Sequence, residues 1–76
     1  MWQKGRILVE GTVYEYEAKV YDTGSEFGIN GGRVSKCWIH KADSRATLYN
    51  YDRGEDVPPA NEEVETVLNI ILAKYS

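Results

Sequence analysis

The sequence predicts an α+β fold: a four-stranded antiparallel sheet covered by one C-terminal helix, in the order ββββα, as a single domain over residues 1–76. Three observations carry this expectation. Residues 4–20 have the composition and punctuation of a β-hairpin, residues 33–40 and 47–52 alternate like two further strands, and residues 61–75 carry an apolar stripe at helical spacing. No internal repeat, low-complexity tract or linker divides the chain.

The hairpin comes first. Segments 4–9 and 12–20 are rich in β-branched and aromatic residues, and Glu10-Gly11 between them suits a two-residue turn in which Gly11 takes a positive φ. Such a turn pairs Arg6 with Glu15, Lys4 with Glu17, Ile7 with Tyr14 and Trp2 with Lys19. Two opposite-charge pairs fall into line, each worth about 0.2–1 kcal/mol. Ile7, Val9, Tyr14, Tyr16, Ala18 and Val20 then share the other face, which is the core face.

Glycines at 24, 28, 31 and 32 interrupt the strand pattern, with Asn30-Gly31 as a tight-turn signal and Phe27-Gly28-Ile29 as a short strand before it. In the strand over 33–40, Cys37 and Ile39 point inward, while Val34, Lys36, Trp38 and His40 take the more exposed face. A polar turn at Lys41–Arg45 leads to the fourth strand, Thr47–Asp52, with Tyr49 and Tyr51 on one face. Pro58-Pro59 ends the sheet.

Asn61 is placed to cap a helix whose first turn carries Glu62, Glu63 and Glu65 at its positive end. Val64, Val67, Leu68, Ile71, Leu72 and Tyr75 form one apolar stripe that needs the sheet to cover it.

Composition narrows the function. A chain of 76 residues buries only about 60% of its unfolded surface, so its core supplies about 3–5 kcal/mol. The net charge is −3, which argues against a general nucleic-acid coat protein. Five cations oppose three acids in residues 23–53, whereas one opposes five in residues 54–76. No signal peptide or membrane-spanning apolar run is present, so a cytoplasmic setting is expected. Cys37 and His40 sit three apart on a strand and face opposite ways, which removes a nucleophile–base pair. One cysteine and one histidine cannot complete a zinc site. No enzyme activity, metal or cofactor is expected.

The loop from Gly28 to Arg33 is the main candidate site. Its consecutive glycines could aim backbone N–H groups at one anion, with Gly28, Asn30, Gly31 and Gly32 as the nest and Arg33 as the planar fork. Lys36 and Arg53 are second contributors, and Asp52 could orient either arginine. The competing reading of the loop is a plain turn. Trp38, with the Glu62, Glu63 and Glu65 cluster, is a candidate protein-interaction surface.

Phe27-Gly28-Ile29-Asn30-Gly31-Gly32-Arg33-Val34-Ser35-Lys36, with Tyr21-Asp22, Ser25, Trp38-Ile39, Asn50-Tyr51-Asp52-Arg53-Gly54 and Asp56, resembles a family of small uncharacterised proteins of Firmicutes, their phages and other mobile elements. The likeness runs over roughly residues 11–75. Cys37 and Glu55 depart from its pattern, which favours a larger apolar residue and an aromatic at those places. The resemblance implies no catalytic residue. It implies a setting, in which small phage proteins counter host defence.

Two functions follow as expectations. One is a non-enzymatic protein that binds and sequesters an anionic, nucleotide-like ligand, in a site shared between subunits of a homo-oligomer. The alternative is a protein–protein inhibitor, anti-CRISPR-like, that plugs a host defence protein through its sheet face or acidic helix. Nucleic acid and membranes are not expected partners.

Overall fold

The computed structural model of the chain describes residues 1–76. Strands β1 (Trp2–Val9), β2 (Thr12–Val20), β3 (Val34–Lys41), β4 (Tyr49–Asp52) and β5 (Glu55–Val57) precede one helix, α1 (Glu62–Lys74). The strands form one antiparallel sheet in the order β1-β2-β3-β4-β5. The sheet therefore has five strands, not four. The extra strand escapes notice in the sequence because Glu55 and Asp56 have low β-propensity and all three of its residues are exposed. The tight turn over 52–54 folds it back onto β4, where Tyr51 pairs with Glu55 and Asn50 with Val57.

The hairpin has the register that its turn and charges dictate: Trp2 with Lys19, Lys4 with Glu17, Arg6 with Glu15, Ile7 with Tyr14. Glu10 and Gly11 both take positive φ, 50° and 79°, the geometry that matches a two-residue turn to the twist of its strands. Arg6 and Glu15 meet at 2.9 Å.

The core lies between the sheet and α1. Tyr14, Tyr16, Ala18, Val20, Cys37, Ile39 and Tyr49 supply the sheet side, and Val64, Val67, Leu68 and Ile71 the helix side. Asn61 caps the helix by accepting the Val64 N–H at 2.9 Å, and Glu62, Glu63 and Glu65 occupy its first turn. Tyr16 lies across Gly5, its partner on β1, and its hydroxyl bonds that of Tyr75 at 2.9 Å. A Cβ at Gly5 would come within 2.6 Å of that ring, so the glycine clears the path by which Tyr16 reaches the helix.

Three expectations need correction. Val34 does not share the outer face with Lys36; it is buried in the core. The cause is a bulge: Lys19 pairs with Lys36 and Val20 with Val34, leaving Ser35 unpaired and reversing the alternation. His40 does lie on the outer face, but it is buried there. Its Nδ1–H donates to the main-chain oxygens of Lys41 and Ser44, 2.7 Å from each, and its ring stacks on Trp38 at 4.4 Å. Third, residues 27–29 form no strand; Ile29–Gly31 is a single 3-10 turn.

Candidate functional site

Local backbone chemistry decides what the glycine loop does. The N–H of Gly28 donates to Ser25, that of Gly31 to Gly28 and that of Gly32 to Ile29, at 2.9–3.1 Å. Those three donors are used within the loop and do not converge on an empty point. The reason for glycine at 28 is contact, since a Cβ there would sit 1.8 Å from the Gly32 carbonyl oxygen. Asn30 adopts a left-handed conformation, φ 55°, and Ile29 turns its side chain into the core.

Arg33 makes two hydrogen bonds to main-chain oxygens. Its Nε–H donates to the Tyr21 carbonyl at 2.8 Å and its Nη1 to the Ser76 main-chain oxygen at 3.1 Å. It ties the end of β2 to the end of the chain. Lys36, Asp52 and Arg53, by contrast, do come together. Asp52 Oδ1 lies 3.5 Å from Lys36 Nζ and 3.9 Å from Arg53 Nε, so the carboxylate orients Arg53 rather than Arg33. Arg53 sits at the tip of the β4–β5 turn with φ 56°, and its N–H donates to Ser35 at 2.9 Å.

Arg53 also lines an open groove of about 410 Å³ with Tyr21, Thr23, Ser25, Phe27 and Ser35. Tyr21 and Phe27 are 47% and 53% exposed. The Phe27 segment is pinned from below, because Tyr51 donates its hydroxyl to the Phe27 carbonyl at 3.0 Å. The groove offers two ring faces, one guanidinium and four hydroxyls, with no carboxylate in its lining. Of these six residues the sequence marks only Arg53 as a site candidate. Tyr21 and Phe27 had one available signal: both are large aromatics inside the polar, glycine-punctuated stretch between β2 and β3.

The proposed protein-interaction residues do not form one surface. Trp38 is on the outer face of the sheet, where its indole N–H donates to Thr47 at 3.0 Å and the Arg45 guanidinium lies 4.9 Å from the ring. Glu62, Glu63 and Glu65 stand on the helix that covers the opposite face, and Glu63 accepts the Tyr14 hydroxyl.

Cys37 faces the core and burial pushes its thiol up to about 12, while His40 faces the other way. No group of three or more His, Cys, Asp or Glu side chains is placed to hold a metal ion. No helix is long and apolar enough to cross a membrane.

The model of a family described as a domain of unknown function, DUF7678, matches residues 1–76. The chain belongs to that family. No curated protein and no solved structure matches it. The family thus covers the whole sheet-and-helix unit, including the groove at Arg53.

Proposed function

We propose that this DUF7678 protein is a non-enzymatic binder of a small anion that carries a planar ring, a nucleotide being the type, held in the groove at the β4–β5 turn. The observation that supports the reading is the convergence of exposed Tyr21, Phe27 and Arg53 on one groove without a carboxylate. Aromatic faces stack on a base, and a guanidinium takes a phosphate in a planar, bidentate fashion. The left-handed backbone of Arg53 adds weight. An arginine there costs about 1–2 kcal/mol relative to a relaxed conformation, and glycine would relieve it.

The biological setting belongs to the same proposal and rests on the sequence resemblance alone. There the protein acts in a bacterial cytosol, sequestering a nucleotide signal of host defence on behalf of a phage or mobile element.

Thermal unfolding against a panel of mononucleotides tests the reading. A ligand at 100 times its Kd adds about 2.7 kcal/mol of stability, a midpoint rise of about 10–20 °C for a domain of this size. Arg53→Gly should fold at least as stably as the parent and lose that rise. No shift with any nucleotide overturns the reading and leaves a protein partner. For that partner, exposed Trp2 and Leu8 beside the free edge of β1 are the available surface.

A further inference from the structure

The outer face of the sheet is organised in rows that run across the strands. One row is Arg6–Glu15–His40 and the next is Lys4–Glu17–Trp38–Asn50. Each sets a β1 cation against a β2 carboxylate. The row beyond them, Trp2–Lys19–Lys36–Asp52, breaks the pattern by placing two ammonium side chains on directly opposed residues. Like charges so placed repel. Only Asp52 answers them, and it is shared between Lys36 and Arg53. Lys19 has no carboxylate partner; its ammonium lies 5.5 Å from the centroid of the Tyr21 ring.

This row is continuous with the groove. Tyr21 lies under Lys19 at one side, and Arg53 shares the Asp52 carboxylate with Lys36 at the other. Its far end is Trp2, which is 54% exposed and lines a shallow depression of about 210 Å³ together with Lys36, Trp38, Asn50 and Asp52. Three strand spacings separate Trp2 from Asp52, about 14 Å.

We propose that the row is a second anion-and-ring station, so that the ligand is a phosphodiester-linked dinucleotide rather than a mononucleotide. The inference rests on the groove reading above. One base and one phosphate occupy Tyr21, Phe27 and Arg53; the second phosphate lies over Lys19 and Lys36, where it removes their repulsion, and the second base stacks on Trp2. The length is bounded by charge. The neighbouring rows of the same face set Glu17 against Lys4 and Glu15 against Arg6, so a longer polyanion leaving the row meets carboxylates as well as cations.

The test is a titration of the intact protein with AMP, the linear dinucleotide pApA and a twelve-residue oligo(dA) strand. The expected result is that pApA binds about tenfold or more tightly than AMP, the size of one added base stack. Trp2→Ser should erase that advantage, Trp2→Tyr should keep most of it, and Lys36→Gln should reduce it. Equal binding of pApA and AMP overturns the second station while the groove reading stands. Binding of neither removes the groove reading and this inference with it. Tighter binding of the twelve-residue strand than of pApA overturns the assignment to a free dinucleotide.

Discussion

Substituting Gly28 by alanine separates a loop built for packing from one built as an anion nest. The new Cβ would lie 1.8 Å from the Gly32 oxygen and 2.8 Å from the Gly32 carbonyl carbon. Ordinary contact begins near 3.4 Å, so backbone must move apart by well over an ångström. Four hydrogen bonds knit that backbone: Gly28 to Ser25, Gly31 to Gly28, Gly32 to Ile29, and Ser25 to Gly32. Losing two of them costs about 1–3 kcal/mol. Partial withdrawal of Ile29, 8% exposed in the core, adds about 1 kcal/mol. The sum is about 2–4 kcal/mol, most of what a core of this size supplies. Circular dichroism should show the thermal midpoint lowered by about 10–30 °C. Gly54→Ala is the control, because no atom lies within 4 Å of a Cβ there, and its midpoint should stay within about 3 °C of the parent. A Gly28→Ala midpoint as close as that would refute the packing argument.

Three further outcomes follow from the same geometry. Arg33→Ala should lower stability by about 1–2 kcal/mol, from its bonds to Tyr21 and Ser76, and leave nucleotide affinity intact; loss of affinity at unchanged stability would return Arg33 to the binding site. Gly5→Ala should cost about 1–3 kcal/mol in urea unfolding, because Tyr16 cannot move off Gly5 without releasing Tyr75; an unchanged urea midpoint would mean that ring is not held. Stability should be full up to about pH 9 and fall as pH rises further, since burial pushes Cys37 and Tyr14 up to about 12 from ordinary values of 9.0 and 10.0, with the Glu63 bond adding to the effect on Tyr14. The folded chain then holds protons that the unfolded chain releases. Cys37→Ala should remove the earliest part of the decline, and a urea midpoint flat to pH 11 would contradict the burial of these groups.

The candidate site was only partly legible in the sequence. Asp52 and Arg53 stood out as a charged turn closing a strand, and their pairing with Lys36 is seen. The stretch from Gly28 to Arg33 drew attention because glycine serves two ends with one composition: it lets backbone turn donors outward, and it lets two backbone segments touch. Residue types do not distinguish these. The hydrogen-bond partners of Gly28, Gly31 and Gly32 do. Tyr21 and Phe27 carry no such mark, because an aromatic in so small a chain is ordinarily core, and only the course of residues 21–33 leaves these two outside.

The hairpin register, the inward faces of β2 and α1, the helix cap at Asn61 and the presence of a sheet-covering helix were all settled by the sequence. Each depends on interactions between near neighbours: a two-residue turn, charges opposed across it, side chains at a fixed period. The tertiary structure alone decided the bulge at Ser35, the burial of His40 beneath residues 41–44, the pairing of β5, and the groove drawn from the 21–27 segment, Ser35 and Arg53. The bulge and the groove arise where segments remote in the chain meet, and a bulge that adds one residue to β3 reverses every inside-or-outside assignment before it; the β5 pairing and the cover over His40 are local, but exposed acidic residues and a polar turn carry no apolar pattern that marks them. Periodicity within one strand carries no record of its neighbour's register, so that information exists only once the strands have paired.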